Sequence, residues 1–528
     1  MAESKGFFRT EKIFFILFVV MSAVGIIVNL PYCYDSIITY DSSYQYALMQ
    51  HSWAEIWRLL PEDYSPPLYA VMLKSSCVMF GHTLKVMRYT NSIVIVGLMF
   101  LSMFPIRRAF GLKTAVVSAV FFICSDVNAN LFSEIRPTYL AYFFMTGLSI
   151  YAYLAFFDER RKYYICHAVF SVLAMYTHNV AMIGALGVYV TVLLFAVIKK
   201  DKKKFIRFFI SGVCCAALYI PWLIVVFKQL GNVKKNYWTG ANSGIDDLKK
   251  YLIYNIFYDY DPKAISIYAE TTISLLIKTA FLIFLFRSLQ LKRNMTAEDI
   301  KKSPLFSKEM RPTLMKGCFI LLLLIVPVGI FEILTRTVYP FVAIRYYYIF
   351  TGVTIIILSS FTVRMEKKIV PWLIAGLMIA NSVSTHQNNY KYLKDSQADS
   401  MIARIKEEHP DGNISFLHSH EWTLGIMMYY FPNAHHYVYD KTWMVLNDLS
   451  VFPYVPENIG ELDNITEYTD DFYVFTAKFP NNEENISEFF EENDDRFHCS
   501  GAKGYVYHYV FPHNISVERV EVKDETAE

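Results

Sequence analysis

Long apolar runs dominate the first 390 residues and decide what this chain can fold into. A helix that crosses a bilayer needs about 20 mostly apolar residues, and eleven candidate runs are present when Tyr163–Ile198, which is twice that length, is counted as two. The others are Ile13–Leu30, Tyr89–Ile106, Thr114–Ser133, Pro137–Phe157, Phe208–Phe227, Thr271–Phe286, Gly317–Leu334, Tyr346–Val363 and Ile369–Ser384. The pattern predicts a polytopic α-helical membrane protein with about eleven transmembrane helices.

The positions of the basic residues indicate which loops between the predicted spans face the cytoplasm. Lys and Arg concentrate in alternate loops, most densely at Lys199–Lys204, and short loops rich in these residues face the cytoplasm. The N-terminus, with Arg9 and Lys12, is then cytoplasmic, and an odd number of crossings puts the C-terminal region outside. A cleaved signal peptide is the alternative interpretation of Ile13–Leu30, but no small-residue cleavage site follows it.

Charge divides the chain into two differently built regions. From Lys391 onward there are 10 Lys and Arg against 26 Asp and Glu, whereas the preceding part holds 40 against 22. Short β-like runs at Ser415–His418 and Phe472–Phe475 predict a small α/β domain in the acidic part. We therefore predict a membrane domain at residues 1–389 and an extracytoplasmic α/β domain at residues 390–528.

The basic residues lie in short loops between spans, which argues against nucleic-acid binding.

The first outer loop, Pro31–Arg88, combines polar and apolar segments. Within it, Tyr44–Leu60 and Leu68–Phe80 have apolar residues at helical spacing and are predicted to lie in the membrane interface. Between them is the segment Asp63-Tyr64-Ser65-Pro66-Pro67-Leu68-Tyr69, whose prolines restrict φ and stiffen the backbone. Asp41 lies earlier in the same loop, where a carboxylate can accept a proton from an acceptor group.

Further polar residues fall on the same predicted face. Glu134 and Arg136 lie between two spans, His178 lies at the hairpin of the double-length run, and Arg345 with Tyr346 begins a late span. Each has a simpler interpretation, such as a structural ion pair, a hydrogen-bonded histidine or an arginine that extends to the interface. Acids and bases gathered at one rim of a helical bundle nevertheless favour a reaction site.

Two ionisable residues depart from this arrangement. Asp126 and Lys278 fall inside predicted spans, where each needs a partner or a water-filled cavity. Charged residues at that depth also occur along transport pathways.

The order of these motifs resembles that of the GT-C membrane glycosyltransferases, especially the branch of protein O-mannosyltransferases and lipid A aminoarabinose transferases. That branch carries an early loop aspartate, a D-x-H-P-P-L-Y-like segment, an E-x-R-x-Y-like turn, a Tyr-Thr-His hairpin and a late Arg-Tyr pair. The corresponding residues here are Asp41, Asp63–Tyr69, Glu134–Tyr139, Tyr176–His178 and Arg345–Tyr346. Ser65 departs from the pattern, because a basic residue is common at that position.

The resemblance implies a dolichyl- or undecaprenyl-phosphate-linked sugar as the donor. It also implies an extracytoplasmic lipid, glycan or protein as the acceptor, and inversion at the anomeric carbon. Asp41 would act as the base, with Glu134 and Asp63 as further catalytic residues. The residues expected to bind the donor phosphate are Arg345, Arg136, His178 and Tyr346. Some relatives use a divalent metal ion, for which Asp63, Glu134 and His178 are the candidate ligands, and no ligand spacing decides the matter.

Two other classes of function remain open on the sequence alone. A transporter or flippase of lipid-linked saccharide would suit Asp126 and Lys278, although the internal repeats common in transporters are absent from the sequence. A non-catalytic subunit of cell-envelope glycan assembly would use the outer domain to bind a partner. We expect a multi-pass protein located in the bacterial plasma membrane.

Overall fold

The computed structural model describes residues 2–34, 38–62, 65–236, 248, 251, 311–338, 344–364, 369–394, 397–418, 421–439, 451–452, 457–477, 492–493, 495–499, 505–507 and 513–522. The chain forms two compact units. The first contains Met1–Cys33, Tyr64–Ser76 and Arg88–Asn388, and the second contains Tyr34–Asp63, Cys77–Met87 and Asn389–Glu528. The division into domains at residues 1–389 and 390–528 stays a prediction, because these units are discontinuous along the chain.

Helices account for most of the described chain before residue 395. They are Ala2–Asn29, Pro31–Tyr34, Tyr40–Gln50, Trp53–Leu59, Leu68–Phe80, Leu84–Thr90, Ser92–Leu101, Arg107–Phe110, Leu112–Cys124, Asp126–Ser133, Pro137–Phe157, Arg161–Met175, Asn179–Ile198, Lys202–Asn236, Arg311–Thr337, Ile344–Tyr347, Thr351–Val363 and Val370–Lys394, with a π-helical turn at Ser102–Ile106 and a 3-10 turn at Tyr348–Phe350.

Several of these helices are long and apolar enough to cross a membrane. Among the described residues, seven candidate spans meet this condition: Lys12–Asn29, Leu84–Phe110, Pro137–Phe157, Asn179–Ile198, Lys202–Leu230, Pro312–Thr337 and Ile344–Val363. Leu112–Cys124 and Asp126–Ser133 form an eighth if the pair, bent by 52°, is one broken span. The prediction of a multi-pass integral membrane protein is confirmed, whereas the count of eleven stays a prediction and its member Thr271–Phe286 lies outside the described residues.

The first outer loop differs in one respect from the sequence prediction. Tyr44–Leu60, predicted as a single helix, is divided between the helices Tyr40–Gln50 and Trp53–Leu59. The break occurs because Ser52 forms a capping box: its hydroxyl accepts from the Glu55 N–H, and the Glu55 carboxylate accepts from the Ser52 N–H at 2.8 Å. The predicted helix Leu68–Phe80 is present with the predicted bounds.

The acidic C-terminal part contains the predicted mixture of helices and strands. Its described strands are β1 (Ser415–His418), β2 (His435–Val438), β3 (Glu457–Asn458), β4 (Asp471–Ala477), β5 (Phe497–Cys499), β6 (Tyr505–Tyr507) and β7 (His513–Val522), and its helices are Gln397–Glu408 and Glu421–Tyr430, with a 3-10 turn at Leu462–Glu467. The strand order is β3-β2-β1-β4-β7-β5, with β6 also paired to β7. Strands β1 to β4 pair in parallel and β7 pairs antiparallel with its neighbours.

Both faces of this sheet are covered. Phe416 of β1 packs on one face with Phe475 and the helical residue Ile405, and Leu417 packs on the other face with Phe472. All four residues of β1 are buried, which is the usual state of a central parallel strand. The sheet therefore has a core on each side.

A pair of buried histidines lies inside the second unit. Nε2 of His418 is 2.9 Å from Nδ1 of His436, and the other ring nitrogens approach Thr423 Oγ1 at 3.0 Å and the Phe431 carbonyl oxygen at 3.3 Å. The carbonyl can only accept, so His436 Nε2 carries a hydrogen and its Nδ1 accepts from His418 Nε2. Burial lowers the pKa of His436 to about 4 and holds the pKa of His418 well below its ordinary value. Both rings are therefore neutral at physiological pH.

Candidate active site

Five of the predicted site residues lie close together in the first unit. They are Glu134, Arg136, His178, Arg345 and Tyr346, and we call this group the Glu134 cluster. Glu134 Oε2 is 3.5 Å from Arg136 Nε, and the two side chains are only 11% and 8% exposed. A nearly buried ion pair therefore forms one side of the cluster.

Arg345 provides the second positive charge of the Glu134 cluster. Its guanidinium lies 5.4 Å from the centre of the Tyr346 ring, in the range of a cation–π contact. The Tyr346 ring is 5.5 Å from the ring of His178. The charge of Arg345 also opposes protonation of both Glu134 and His178. Residues from three distant parts of the sequence therefore meet at one place.

Glu134 is held by the backbone around it. It ends the helix Asp126–Ser133 in an extended conformation, with φ −84° and ψ 137°. The side-chain amide of Asn91 donates to the carbonyl oxygens of Phe132 at 2.9 Å and Glu134 at 2.8 Å. Pro137 then begins the next helix, a position where a missing N–H costs nothing. The turn that carries Glu134 is thus tied to a second helix through Asn91.

His178 is positioned as the N-cap of the helix Asn179–Ile198. Its Nδ1 accepts a hydrogen bond from the Val180 N–H at 3.1 Å, so a neutral ring carries its hydrogen on Nε2. The hairpin that holds it is also tied to the first outer loop, because the Leu68 N–H donates to the Tyr176 carbonyl at 2.9 Å. The Pro-Pro-Leu-Tyr and Tyr-Thr-His motifs are therefore hydrogen-bonded to each other.

Close helix packing brings the Arg345 region towards the Glu134 region. Arg345 precedes the helix Thr351–Val363, and Glu134 precedes the helix Pro137–Phe157. A Cβ atom added to Gly352 would lie 2.9 Å from Thr146 Cβ and 3.0 Å from Thr146 Cγ2. Only glycine permits this approach, a device common between membrane helices.

The electrostatics of the Glu134 cluster favour an anion. Burial raises the pKa of Glu134 to about 7, and the positive charge of Arg345 opposes that rise. Burial lowers the pKa of His178 to about 3, and Arg345 adds to the effect. With His178 neutral, Arg136, Arg345 and Glu134 carry a net charge between +1 and +2 around pH 7. The cluster can thus hold a phosphate.

The two described candidates for metal ligands, Glu134 and His178, do not by themselves supply a ligand set for a divalent cation. Glu134 and His178 supply one carboxylate and one imidazole, and the carboxylate is already next to two guanidinium groups. Asp63, the third candidate, lies outside the described residues. Across the described part of the chain, no group of three or more His, Cys, Asp or Glu could hold a metal ion.

Asp41 belongs to the second unit. It lies in the first turn of the helix Tyr40–Gln50, whose N-cap Thr39 accepts from the Ser42 N–H. An acidic residue at that end of a helix is stabilised by the helix dipole. Asp41 is partly exposed, whereas Ser42 to Gln45 behind it are buried.

Of two further positioning residues, Asn91 could not be recognised from the sequence, whereas Tyr139 lies within a recognised motif. Asn91 was one residue of a predicted apolar span, yet its side chain is fully buried and bonded to the Glu134 turn. Tyr139 belongs to the Glu-Ile-Arg-Pro-Thr-Tyr motif, and its hydroxyl donates to Asn128 Oδ1 at 2.5 Å. A lone asparagine at the start of an apolar run was the only available signal for Asn91. Of the two ionisable residues inside predicted spans, Asp126 is buried at the bend between the helices Leu112–Cys124 and Asp126–Ser133, and Lys278 lies outside the described residues.

Comparison with known proteins gives a structural match without a sequence match. No protein-family model matches the chain, and no curated protein sequence matches it significantly. The crystal structure of ArnT from Cupriavidus metallidurans bound to undecaprenyl phosphate matches with a TM-score of 0.57 at 10% identity, covering 94% of this chain and 97% of ArnT. The apo structure of the same ArnT matches with a TM-score of 0.55 at 9% identity, covering 96% and 98%.

The match extends over both the helical part and the C-terminal sheet region, since it covers nearly the whole of each chain. It confirms the predicted resemblance to the aminoarabinose transferase branch of the GT-C proteins at the level of fold. This protein is therefore a multi-pass membrane protein with an ArnT-like fold.

Proposed function

We propose that this protein transfers a sugar from a polyprenyl-phosphate carrier to an extracytoplasmic acceptor. The observation that carries the proposal is the Glu134 cluster, in which Arg136 and Arg345 give a nearly buried site a net positive charge. The fold adds support, because the ArnT structure that it resembles contains bound undecaprenyl phosphate.

Charge changes on the donor explain why such a site would accelerate the reaction. A sugar-phosphate-polyprenyl diester carries one negative charge, and the polyprenyl phosphate that departs carries up to two near neutral pH. The acceptor heteroatom forms a bond to the anomeric carbon, the bond from that carbon to the phosphate oxygen breaks, and its electron pair leaves with the phosphate. Positive groups that are already in position stabilise the transition state, in which negative charge accumulates on the phosphate, more than they stabilise the ground state. The activation barrier is therefore lower.

Each site residue has a role in this scheme. Arg345 and Arg136 bind the phosphate oxygens, and the Nε2–H of neutral His178 donates a further hydrogen bond. Tyr346 orients Arg345 through its ring. Glu134 aligns the guanidinium groups by ion pairing. These roles need no metal ion.

Asp41 takes the proton from the acceptor as the new bond forms. The acceptor attacks in line with the departing phosphate, and this single displacement inverts the anomeric carbon. Asp63, which shortly precedes Pro66 and Pro67 in the sequence, positions the groups that act with Asp41. With eleven spans, the N-terminus is in the cytoplasm and residues 390–528 lie outside a bacterial plasma membrane. The interfacial helices of the first outer loop then lie along the path of the lipid carrier.

The test uses purified protein in lipid nanodiscs with a panel of radiolabelled polyprenyl-phosphate sugars. We expect wild-type protein to transfer the sugar or to hydrolyse the donor slowly. Asp41→Asn should retain donor binding and lose transfer by about 100-fold or more, since general base catalysis contributes about 10²–10⁴-fold. Normal transfer by well-expressed Asp41→Asn would exclude the base assignment.

Transport of lipid-linked saccharide is the second candidate, because Asp126 is buried at the bend between two apolar helices. Reconstitution in liposomes separates the two functions. Movement of the labelled donor between leaflets without cleavage of its sugar–phosphate bond would favour transport, whereas release of polyprenyl phosphate would favour the transferase. Absence of both would favour a non-catalytic assembly subunit.

A further inference from the structure

The helix that carries Asp41 is embedded in the second unit. Tyr40–Gln50 has 11 residues, and helices this short are marginal in water without tertiary packing. Its buried residues include Ser43, Leu48 and Met49. Asp41 is the partly exposed acid in its first turn. The position of this carboxylate therefore depends on whatever packs against the helix.

Glycine 425 allows a close approach to that first turn. A Cβ atom added to Gly425, in the helix Glu421–Tyr430, would lie 2.9 Å from Tyr40 Cδ2, 2.9 Å from Ser43 Oγ and 2.9 Å from Phe452 Cζ. Tyr40 and Ser43 stand on either side of Asp41 in the sequence. A larger side chain at residue 425 must therefore displace Phe452 or the side chains of Tyr40 and Ser43, which belong to the turn that carries the carboxylate.

Residues from the C-terminal part of the second unit also contact the helix Tyr40–Gln50 before, along and after its length. Before it, the Ile38 N–H donates to the Tyr430 hydroxyl at 3.3 Å. Along it, the rings of Tyr46 and Tyr429 make an edge contact with their centres 4.8 Å apart. After it, His51 Nε2 lies 2.7 Å from the Val451 carbonyl oxygen. The helix is thus held at its start, middle and end by residues from beyond position 389.

We infer that the helix Glu421–Tyr430 is the support that positions Asp41 for its reaction, with Gly425 and Tyr430 as positioning residues. This gives the C-terminal α/β region a part in sugar transfer, and it rests on the proposed function. Reacting groups must be placed within a fraction of an ångström, and a displacement of about 1 Å can cost about 100-fold in rate.

The kinetic test compares Gly425→Ala and Tyr430→Phe with wild type. We expect kcat for transfer to fall by about 10- to 100-fold in Gly425→Ala and by about 3- to 10-fold in Tyr430→Phe. The KM for the polyprenyl-phosphate sugar should stay within about twofold. Gly376→Ala is the matched control, because a Cβ at that helical glycine meets no atom within 4 Å.

Hydrogen exchange gives a second measurement that does not depend on activity. In both variants, the backbone amides of Tyr40–Gln50 should exchange faster, while those of the membrane helices should not change. If Gly425→Ala is too unstable to purify, the isosteric Tyr430→Phe decides the outcome.

The results separate the two hypotheses. Wild-type kcat together with unchanged exchange in the two variants would overturn the positioning role. So would a parallel loss of donor affinity and kcat, since that indicates general damage. If wild-type protein transfers no sugar, the proposed function fails, and the exchange measurement still shows whether Glu421–Tyr430 holds the Asp41 helix.

Discussion

Replacing Arg345 with alanine should weaken the binding of polyprenyl phosphate by roughly two orders of magnitude. With Glu134 ionised, Arg136, Arg345 and Glu134 carry a net charge of +1, and the variant reduces this charge to zero. Two unit charges about 4 Å apart interact by about 4 kcal/mol at an effective dielectric constant of about 20. Hydrogen bonds to charged groups contribute about 1.5–3 kcal/mol net. A loss of about 2–3 kcal/mol corresponds to a dissociation constant about 30- to 150-fold higher.

The assay is equilibrium binding of undecaprenyl phosphate to protein in nanodiscs at pH 8. At that pH Glu134, with its pKa of about 7, is mostly ionised. Arg345→Lys keeps the positive charge but lacks the planar guanidinium group that can form two parallel hydrogen bonds to a phosphate. The affinity of this variant for undecaprenyl phosphate should therefore fall by only about 3- to 10-fold. Arg336→Ala is the matched control, because Arg336 is exposed and paired with Glu332. Unchanged affinity in a stable Arg345→Ala protein would refute the assignment of Arg345 to the phosphate.

Two further predictions concern structure and stability. Asn91→Ala removes both hydrogen bonds to the Glu134 turn, so the free energy of unfolding should fall by about 2 kcal/mol, measured as a lower thermal unfolding temperature in detergent. The rate of sugar transfer should fall as well. Wild-type stability and activity in this variant would contradict the anchoring role of Asn91. The second prediction concerns the buried pair His418 and His436. Below the ordinary histidine pKa of about 6.5, these two residues bind more protons in the unfolded chain than in the folded chain. The stabilising effect of neutral His418 and His436 is therefore complete above about pH 6.5. It decreases as the pH falls towards about 4, by at most about 1.4 kcal/mol per pH unit for each ring. Denaturation of the second unit as a function of pH should show this slope; a flat profile between pH 6.5 and 4.5 would contradict the role of the two neutral rings.

Local signals explain which elements could be predicted. The helix Leu68–Phe80 was predicted with the observed bounds because two prolines precede it and its apolar residues recur at helical spacing. In the structure Gly81, with φ +99°, follows it. Strand β1 was predicted because its short apolar run is flanked by polar residues. The division of Tyr44–Leu60 had a local signal too, since Ser52 and Glu55 form the S-x-x-E pattern of a capping box.

Long-range contacts explain what could not be predicted. The amide of Asn91 reaches carbonyl groups 41 and 43 residues away. No pattern in an apolar run specifies such a partner. The meeting of Glu134, His178 and Arg345 was expected only from motif order and predicted sidedness, and their distances required the packed helices. Nothing in the first outer loop indicated that Tyr40–Gln50 would pack against Glu421–Tyr430.

The discontinuous second unit also has a consequence for biosynthesis. Its first segment ends at Asp63 and its last begins at Asn389. At a synthesis rate of about 5–20 residues per second, the ribosome needs roughly 15–65 seconds to make the chain between them. During that interval the helix Tyr40–Gln50 lacks its later partner. Folding of this unit must therefore wait until after membrane insertion of most of the chain, and a protein truncated near residue 389 would leave its early segments exposed to proteases.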